Sequence, residues 1–278
     1  MKNNSVAAVL AIVLTYGLGA FAWGSTIVEN FDYGSSVIAP ISSGIAGDGW
    51  AGAWSGGGAQ NAAYLPSAQL TYGGAGYDNA LNPATTGGAG HDSGSPNPAA
   101  ISNRFFSTTL TGAVWISALV KYSNVGGLPA DSQVLLWLRS DASAASYISI
   151  RTGAKADLRF NGTDTLSTQT YAENDVHLLL AKLTVNPSGN DSIDFWVDPD
   201  LTGGEAGLPT PVLSAGSADA FGTGLTGLGI SFYDDGYIDA IRVSNDADGF
   251  QQVVGVPEPG SLSLLGASLL ACVFARHR

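Results

Sequence analysis

Cysteine is nearly missing: Cys272 stands alone in 278 residues, so no disulfide can close within the chain. A core of roughly 200 residues can do without cross-links even in an oxidising compartment. Histidine is scarce too, at His91, His177 and His277, and with no cysteine pair there is no recognisable zinc cluster. Positive charge is short. The 11 Lys and Arg against 23 Asp and Glu give a net charge of −12 and a pI near 4.3. That balance removes the overall electrostatic footing that a nucleic-acid binder needs and argues equally against anionic membrane surfaces. Glutamate is limited to Glu29, Glu173, Glu205 and Glu258, no two within reach along one strand.

Other catalytic arrangements are absent or accidental. There is no Gly-x-Ser-x-Gly elbow and no phosphate-cradling Gly-x-x-x-x-Gly-Lys. His91, Asp92 and Ser93 are consecutive, whereas a catalytic triad is assembled from distant segments. Asp191 and Asp194, three apart on a strand, point to opposite faces. His177 opens a strand and reads as a rim residue rather than a base. Asp246-Ala-Asp248-Gly249 matches half of an EF-hand loop, but Pro257 falls where the bidentate acid is needed.

What the chain has is glycine (37 residues) and enough apolar surface to build a core, with 45% hydrophobic and 12% charged residues and a mean hydropathy of +0.17. Short period-2 runs predict ten strands, at 27–31, 99–106, 114–122, 134–139, 145–152, 156–160, 176–185, 192–197, 225–233 and 237–243. Ile148 and Ile150 alternate with Tyr147, Ser149 and Arg151, and Leu158 and Phe160 with Asp157 and Arg159, giving one buried face and one wet face. Strand 176–185 is apolar on both faces and is expected to be central. Pro187-Ser-Gly-Asn190 reads as a hairpin connection, and Asn161-Gly162 and Asp235-Gly236 as tight turns. Without crossover helices, this predicts an all-β, antiparallel jelly-roll sandwich. Region 44–98, dense in glycine and aromatics, lacks clear periodicity.

The ends carry addresses. Lys2, an apolar stretch over 6–22 and Ala20-Phe-Ala22 make a signal peptide cleaved after residue 22, with an N-terminal membrane anchor as the alternative. At the other end Val256-Pro257-Glu258-Pro259 precedes an uncharged apolar run over 260–275 and the tip Arg276-His277-Arg278. By itself this is a short hydrophobic helix with a basic stop, which a plain tail anchor would also explain. The expected organisation is a signal peptide over 1–22, a β-sandwich over 23–250, a spacer over 251–255 and a sorting segment over 256–278. Removing the charges of both end segments leaves 8 basic and 22 acidic residues, a net charge of −14.

Pro257, Glu258 and Pro259 with the helix and the cluster of Arg276 and Arg278 resemble the PEP-CTERM sorting signal of Gram-negative bacteria. The resemblance implies export through the Sec translocon and signal peptidase, then a precursor held transiently in the inner membrane. It further implies processing by exosortase and release to the cell surface or the exopolysaccharide matrix. A second resemblance rests on His177–Val185, Asn190–Pro199, Tyr237–Val243, Glu29-Asn-Phe-Asp-Tyr33 and Gly49-Trp-Ala-Gly-Ala-Trp-Ser55. These segments resemble concanavalin A-like lectin/glucanase (laminin G-like) domains. The glucanases of that superfamily carry Glu-x-Asp-x-x-Glu or Glu-x-Asp-x-Glu on one strand, which this chain lacks, so no enzyme activity is expected.

Two kinds of site remain as expectations. Trp50, Trp54 and an outward-facing Trp196 are candidate sugar platforms, since sugar rings stack on flat apolar faces. Alternatively the 49–54 segment closes the sandwich edge and buries its indoles. Alternation places Asp239 in a row with Tyr237, Ile241 and Val243, where an acid needs a partner. A structural Ca²⁺ shared with Glu29 or Asn30, or a bond to backbone N–H, would supply one. The expected role is an exported, non-enzymatic surface or matrix protein with glycan as candidate ligand. A glycan-active enzyme with an unrecognised site and a purely structural scaffold are the alternatives.

Overall fold

A computed structural model describes residues 26–31, 39–40, 49–55, 63–66, 68–79, 88–92, 101–123, 133–140, 145–151, 153, 155–233 and 235–255. The signal-peptide and sorting-segment residues lie outside these. Among the described residues no helix is long and apolar enough to cross a membrane.

Fifteen strands are described. The first seven are β1 (Ile27–Glu29), β2 (Ala39–Pro40), β3 (Ala63–Pro66), β4 (Gly88–Asp92), β5 (Ser102–Leu110), β6 (Gly112–Ser123) and β7 (Gln133–Ser140). The next four are β8 (Ser146–Arg151), β9 (Lys155–Phe160), β10 (Thr163–Thr170) and β11 (Val176–Val185). β12 (Asn190–Val197), β13 (Leu213–Ala218), β14 (Leu225–Tyr233), β15 (Asp235–Ser244) and the short helix α1 (Gly249–Val254) complete the chain. All ten expected strands are present. The five additions were hidden for physical reasons: β10 and β13 are sheet edges and need few apolar residues, while β2, β3 and β4 are too short, at two to five residues, to show a period.

One sheet runs β13-β12-β11-β6-β15-β4-β3-β2, and β1 shares the edge of β15 with β4; the other runs β10-β9-β8-β7-β14-β5. Pairing is antiparallel throughout. Between the sheets lies the main core, in which Ile116, Leu136, Ile148, Leu158, Phe195 and Ile230 are at most 1% exposed. β11 is interior, as its sequence demands: Leu179, Ala181 and Leu183 face this core while Leu178 and Leu180 enter a second one. That second core covers the outer face of the nine-stranded sheet, where Phe250 of α1 meets the Trp115 ring edge-on at 5.1 Å. Gly255, in the left-handed conformation at φ 79°, ends α1.

The turns divide. Asn161 (φ 48°) and Gly162 (φ 81°) join β9 to β10 as a two-residue turn with both φ positive, pairing Thr163 with Phe160. Asp235-Gly236 is not a turn centre; both residues belong to β15 and pair with Ser123 and Tyr122. The strict alternation expected along that strand also fails. A bulge between Asp239 and Arg242, with Ala240 at φ 50°, shifts the phase, so Ile238 and Ile241 both reach the main core while Ala240 joins the second. The wet faces are therefore unequal: segments pack over the nine-stranded sheet, and polar side chains are gathered on the outside of the six-stranded one.

Candidate functional site

On the six-stranded sheet the residues that alternate with the core form a polar outer face. Register sets Gly229, Trp137, Tyr147, Arg159 and Asp164 side by side in one row, with Asn103 beyond Gly229. The next row holds Ser231, Leu135, Ser149, Asp157 and Leu166. Trp137 and Tyr147 meet edge to face at 4.9 Å, and Trp137 Nε1 donates to Ser231 Oγ at 2.8 Å, which fixes the half-buried indole. Gly229 keeps its flank open, since a Cβ there would come within 3.0 Å of Asn103 Oδ1 and 3.1 Å of Trp137 Cβ.

The Tyr147 hydroxyl lies 3.2 Å from Asp157 Oδ2 and 3.1 Å from Asp164 Oδ1, and it has one proton for two carboxylates. Asp157 is fully buried. Burial pushes its carboxyl above the usual range, against the opposing pull of Arg151 3.5 Å away and of the Tyr147 hydroxyl. Tyr147 is likewise raised, by burial and by both carboxylates. Of eight buried polar side-chain atoms without a hydrogen-bond partner among the described residues, four belong to this face: Asn103 Oδ1, Arg139 Nε, Asp157 Oδ1 and Arg159 Nε. Such a concentration marks a face whose hydrogen bonding is incomplete among the described residues. The two exposed large apolar side chains among the described residues, Phe105 on β5 and Leu166 on β10, flank it at opposite ends of the β10-to-β5 strand order.

The tryptophans expected as platforms are buried, at 3% for Trp50, 2% for Trp54 and 6% for Trp196. Segment 49–55 runs beside β5, with Ala51 and Ser55 amides bonding Phe105 and Asn103 carbonyls, and so extends the six-stranded sheet past its edge. Its indoles turn inward. Trp50 Nε1 donates to Val28 O, Trp54 stacks on Phe31 at 6.1 Å, and the Arg104 guanidinium lies 4.7 Å from the Trp50 ring centre. The closing role holds for this segment, and an exposed platform does not. Trp196 does leave the inter-sheet core, but it stacks on Trp115 at 6.0 Å and donates to Pro209 O. It lines an open groove of about 390 Å³ with Lys182, Glu205 and Leu208, where Lys182 is held by Glu205 at 2.6 Å.

The shared Ca²⁺ site is not assembled. Glu29 sits in the main core and accepts from Phe31 N, Trp54 Nε1 and Arg104. Asp239 faces the second core, on the other side of the nine-stranded sheet, where its oxygens accept from Leu70 N and Ala240 N. The β15 bulge separates them. Asn30 Oδ1 is buried without a hydrogen-bond partner, and among the described residues no three His, Cys, Asp or Glu form a metal cage.

His177 is engaged at both ring nitrogens, Nδ1 with Asp198 Oδ2 at 2.6 Å and Nε2 with Ala172 O at 2.7 Å. Two acceptors call for two ring protons, so this geometry favours the imidazolium. Burial opposes that charge, but the Asp198 and Ala172 bonds outweigh it and raise the pKa. Stability from this group is complete below the unfolded value and lost as pH rises through the folded one. His177→Asn should therefore cost about 1–3 kcal/mol at pH 5.5 and less at pH 9, read from chemical denaturation. A gap that ignores pH would show the ring to be neutral. His91 and Asp92 fall on β4, where no side-chain geometry is described, and Ser93 lies outside the described residues.

Residues 255–278 match the PEP-CTERM protein-sorting motif, covering Pro257, Glu258, Pro259, Arg276 and Arg278. No curated protein matches the chain. Similar solved structures include the cellulose-induced protein Cip1, at 13% identity over 76% of this chain and 97% of that one, TM-score 0.42. The carbohydrate-binding module CBM66 from Bacillus subtilis is 15% identical over 57% and 87%, TM-score 0.33. The catalytic domain of a glycoside hydrolase family 131 protein from Coprinopsis cinerea is 12% identical over 67% and 85%, TM-score 0.40. These are likenesses of strand arrangement and carry no ligand to this chain. The chain thus joins a jelly-roll-like sandwich to a PEP-CTERM motif, the mark of an exported, exosortase-processed surface protein of Gram-negative bacteria.

Proposed function

We propose that this is a non-enzymatic protein of the cell surface or exopolysaccharide matrix that binds glycan on the outer face of its six-stranded sheet. The observation that carries the reading is the half-buried Trp137, pinned by Ser231 and Tyr147, amid four buried polar atoms that lack partners. A sugar ring offers an apolar face for the indole and hydroxyls for the partly exposed guanidinium groups of Arg151 and Arg159 on the same face. Delivery follows from the two ends, with Sec export and signal-peptidase cleavage first, and exosortase acting on a membrane-held precursor.

One observation favours a glycan-active enzyme instead. Asp157 and Asp164 share a phenol proton, and burial raises one of them, as an acid and base pair would require. The non-enzymatic reading is preferred because Asp157 is fully buried and cannot reach a glycosidic oxygen.

A glycan array probed with the purified full chain in mild detergent tests both. Saturable binding is expected, weakened about tenfold or more by Trp137→Ala and partly restored by Trp137→Phe. A blank array overturns glycan binding. Release of reducing ends that Asp164→Asn abolishes would make the protein an enzyme.

A further inference from the structure

We infer that the outer face of the six-stranded sheet takes an acidic polysaccharide, one bearing carboxylates on its sugar rings. This rests on the glycan-binding reading above and adds the charge class of the ligand.

The first ground is where a cation-poor chain spends its cations. Of 11 Lys and Arg, three lie in the terminal segments, and Arg104 and Arg242 are buried at 4% and 2%. Six remain, and four of these, Arg139, Arg151, Lys155 and Arg159, alternate with the core on this one face. Asp157 and Asp164 oppose them, so the face is a net cation on an acidic protein, and burial pushes Asp157 toward its uncharged form.

The second ground is that the acids among the described residues do not satisfy these guanidinium groups. Arg151 stands 3.5 Å from Asp157, and Arg159 stands 3.7 Å from Asp164. A charge-assisted hydrogen bond closes to about 2.7–2.9 Å. By contrast Lys182 reaches Glu205 at 2.6 Å. Arg139 has no ion pair among the described residues, and Nε of both Arg139 and Arg159 is buried without a partner. Fork-shaped donors held near, but not on, internal carboxylates are placed to receive external ones.

The third ground is arrangement. Trp137 has Arg139 two positions along its own strand and, at right angles to it, Arg159 two strands across beyond Tyr147. These offsets are roughly 7 and 10 Å. A ring stacked on the indole therefore has one guanidinium along the strand and another across the sheet. Overall negative charge does not forbid this, because charges beyond about 8 Å are screened at physiological salt.

The test measures binding of the full chain to polygalacturonate, its methyl ester and dextran sulfate, by calorimetry in mild detergent. Polygalacturonate should bind about tenfold or more tighter than the ester. Its binding should weaken as salt rises. Arg139→Gln and Arg159→Gln should move the acid-to-ester ratio toward one, and Arg159→Lys should retain part of it. Equal binding of acid and ester, lost with Trp137→Ala, would overturn the charge class and leave glycan binding standing. No binding of either would overturn both, and tighter binding of dextran sulfate would replace carboxylate by sulfate.

Discussion

Glu29→Ala should destabilise the sandwich by about 3–5 kcal/mol, because it strands the Arg104 guanidinium without a counter-charge. Both side chains are at most 5% exposed, and they touch where β1 passes the 49–55 segment. The carboxylate also accepts from Trp54 Nε1 at 2.9 Å and from the amide of Phe31, whose φ of 49° a side chain rarely tolerates. Glu29→Gln should cost less, since the amide oxygen can keep one of those donors. The double variant Glu29→Ala with Arg104→Met should recover much of the loss by replacing charge with apolar volume. Urea midpoints for the four proteins close the cycle. A double variant as unstable as the sum of the singles would mean that the pair is uncoupled.

Asp239→Ala is expected to cost about 3 kcal/mol, for it removes two backbone-to-carboxylate bonds in a buried place. Leu70 N would lose its acceptor, and with it one of the bonds that tie segment 68–79 to β15, the Arg242–Tyr77 bond remaining. Asp239→Asn should lose about half as much, because one oxygen remains. Amide exchange at Leu70 should accelerate in both variants, more in the alanine. Chelator should leave the melting temperature unchanged, since Asp239 already spends its oxygens on N–H donors. A chelator-induced fall would put a metal at this carboxylate after all.

The contrast between these sites shows where sequence reasoning reached and where it stopped. The main core was legible because Ile148, Ile150, Leu158 and Phe160 alternate without exception, and a period of two has only one register that buries them. Asp239 was placed on the wrong face because a bulge is an insertion in pairing, and nothing in Tyr-Ile-Asp-Ala-Ile-Arg-Val announces it. Trp50 and Trp54 were open to either assignment from sequence. Their burial depends on Glu29, Phe31 and Phe106, contacts that only the assembled sandwich brings together.

Trp137 and Tyr147 were passed over although the signal was present. Their strands alternate cleanly, and the Asn161-Gly162 turn fixes the pairing of Arg159 with Asp164 from sequence alone. The wet half of each pattern was read as solvent-facing and no further. Tyr147, Ser149 and Asp157 are nevertheless at most 6% exposed, so that side of the sheet was never simply wet.

The pairing of β1 with the end of β15 also sets a clock. Ile27 meets Val243, so the first strand of the body waits for nearly the last before it can dock. A chain threaded through a membrane from its N-terminus would present Glu29 on the far side long before β15 follows. Arg104 would arrive in between, but the β1 ladder would still be unmade. The body therefore cannot complete itself midway through export. In such a passage the β1–β15 ladder would close only after residue 243 has crossed.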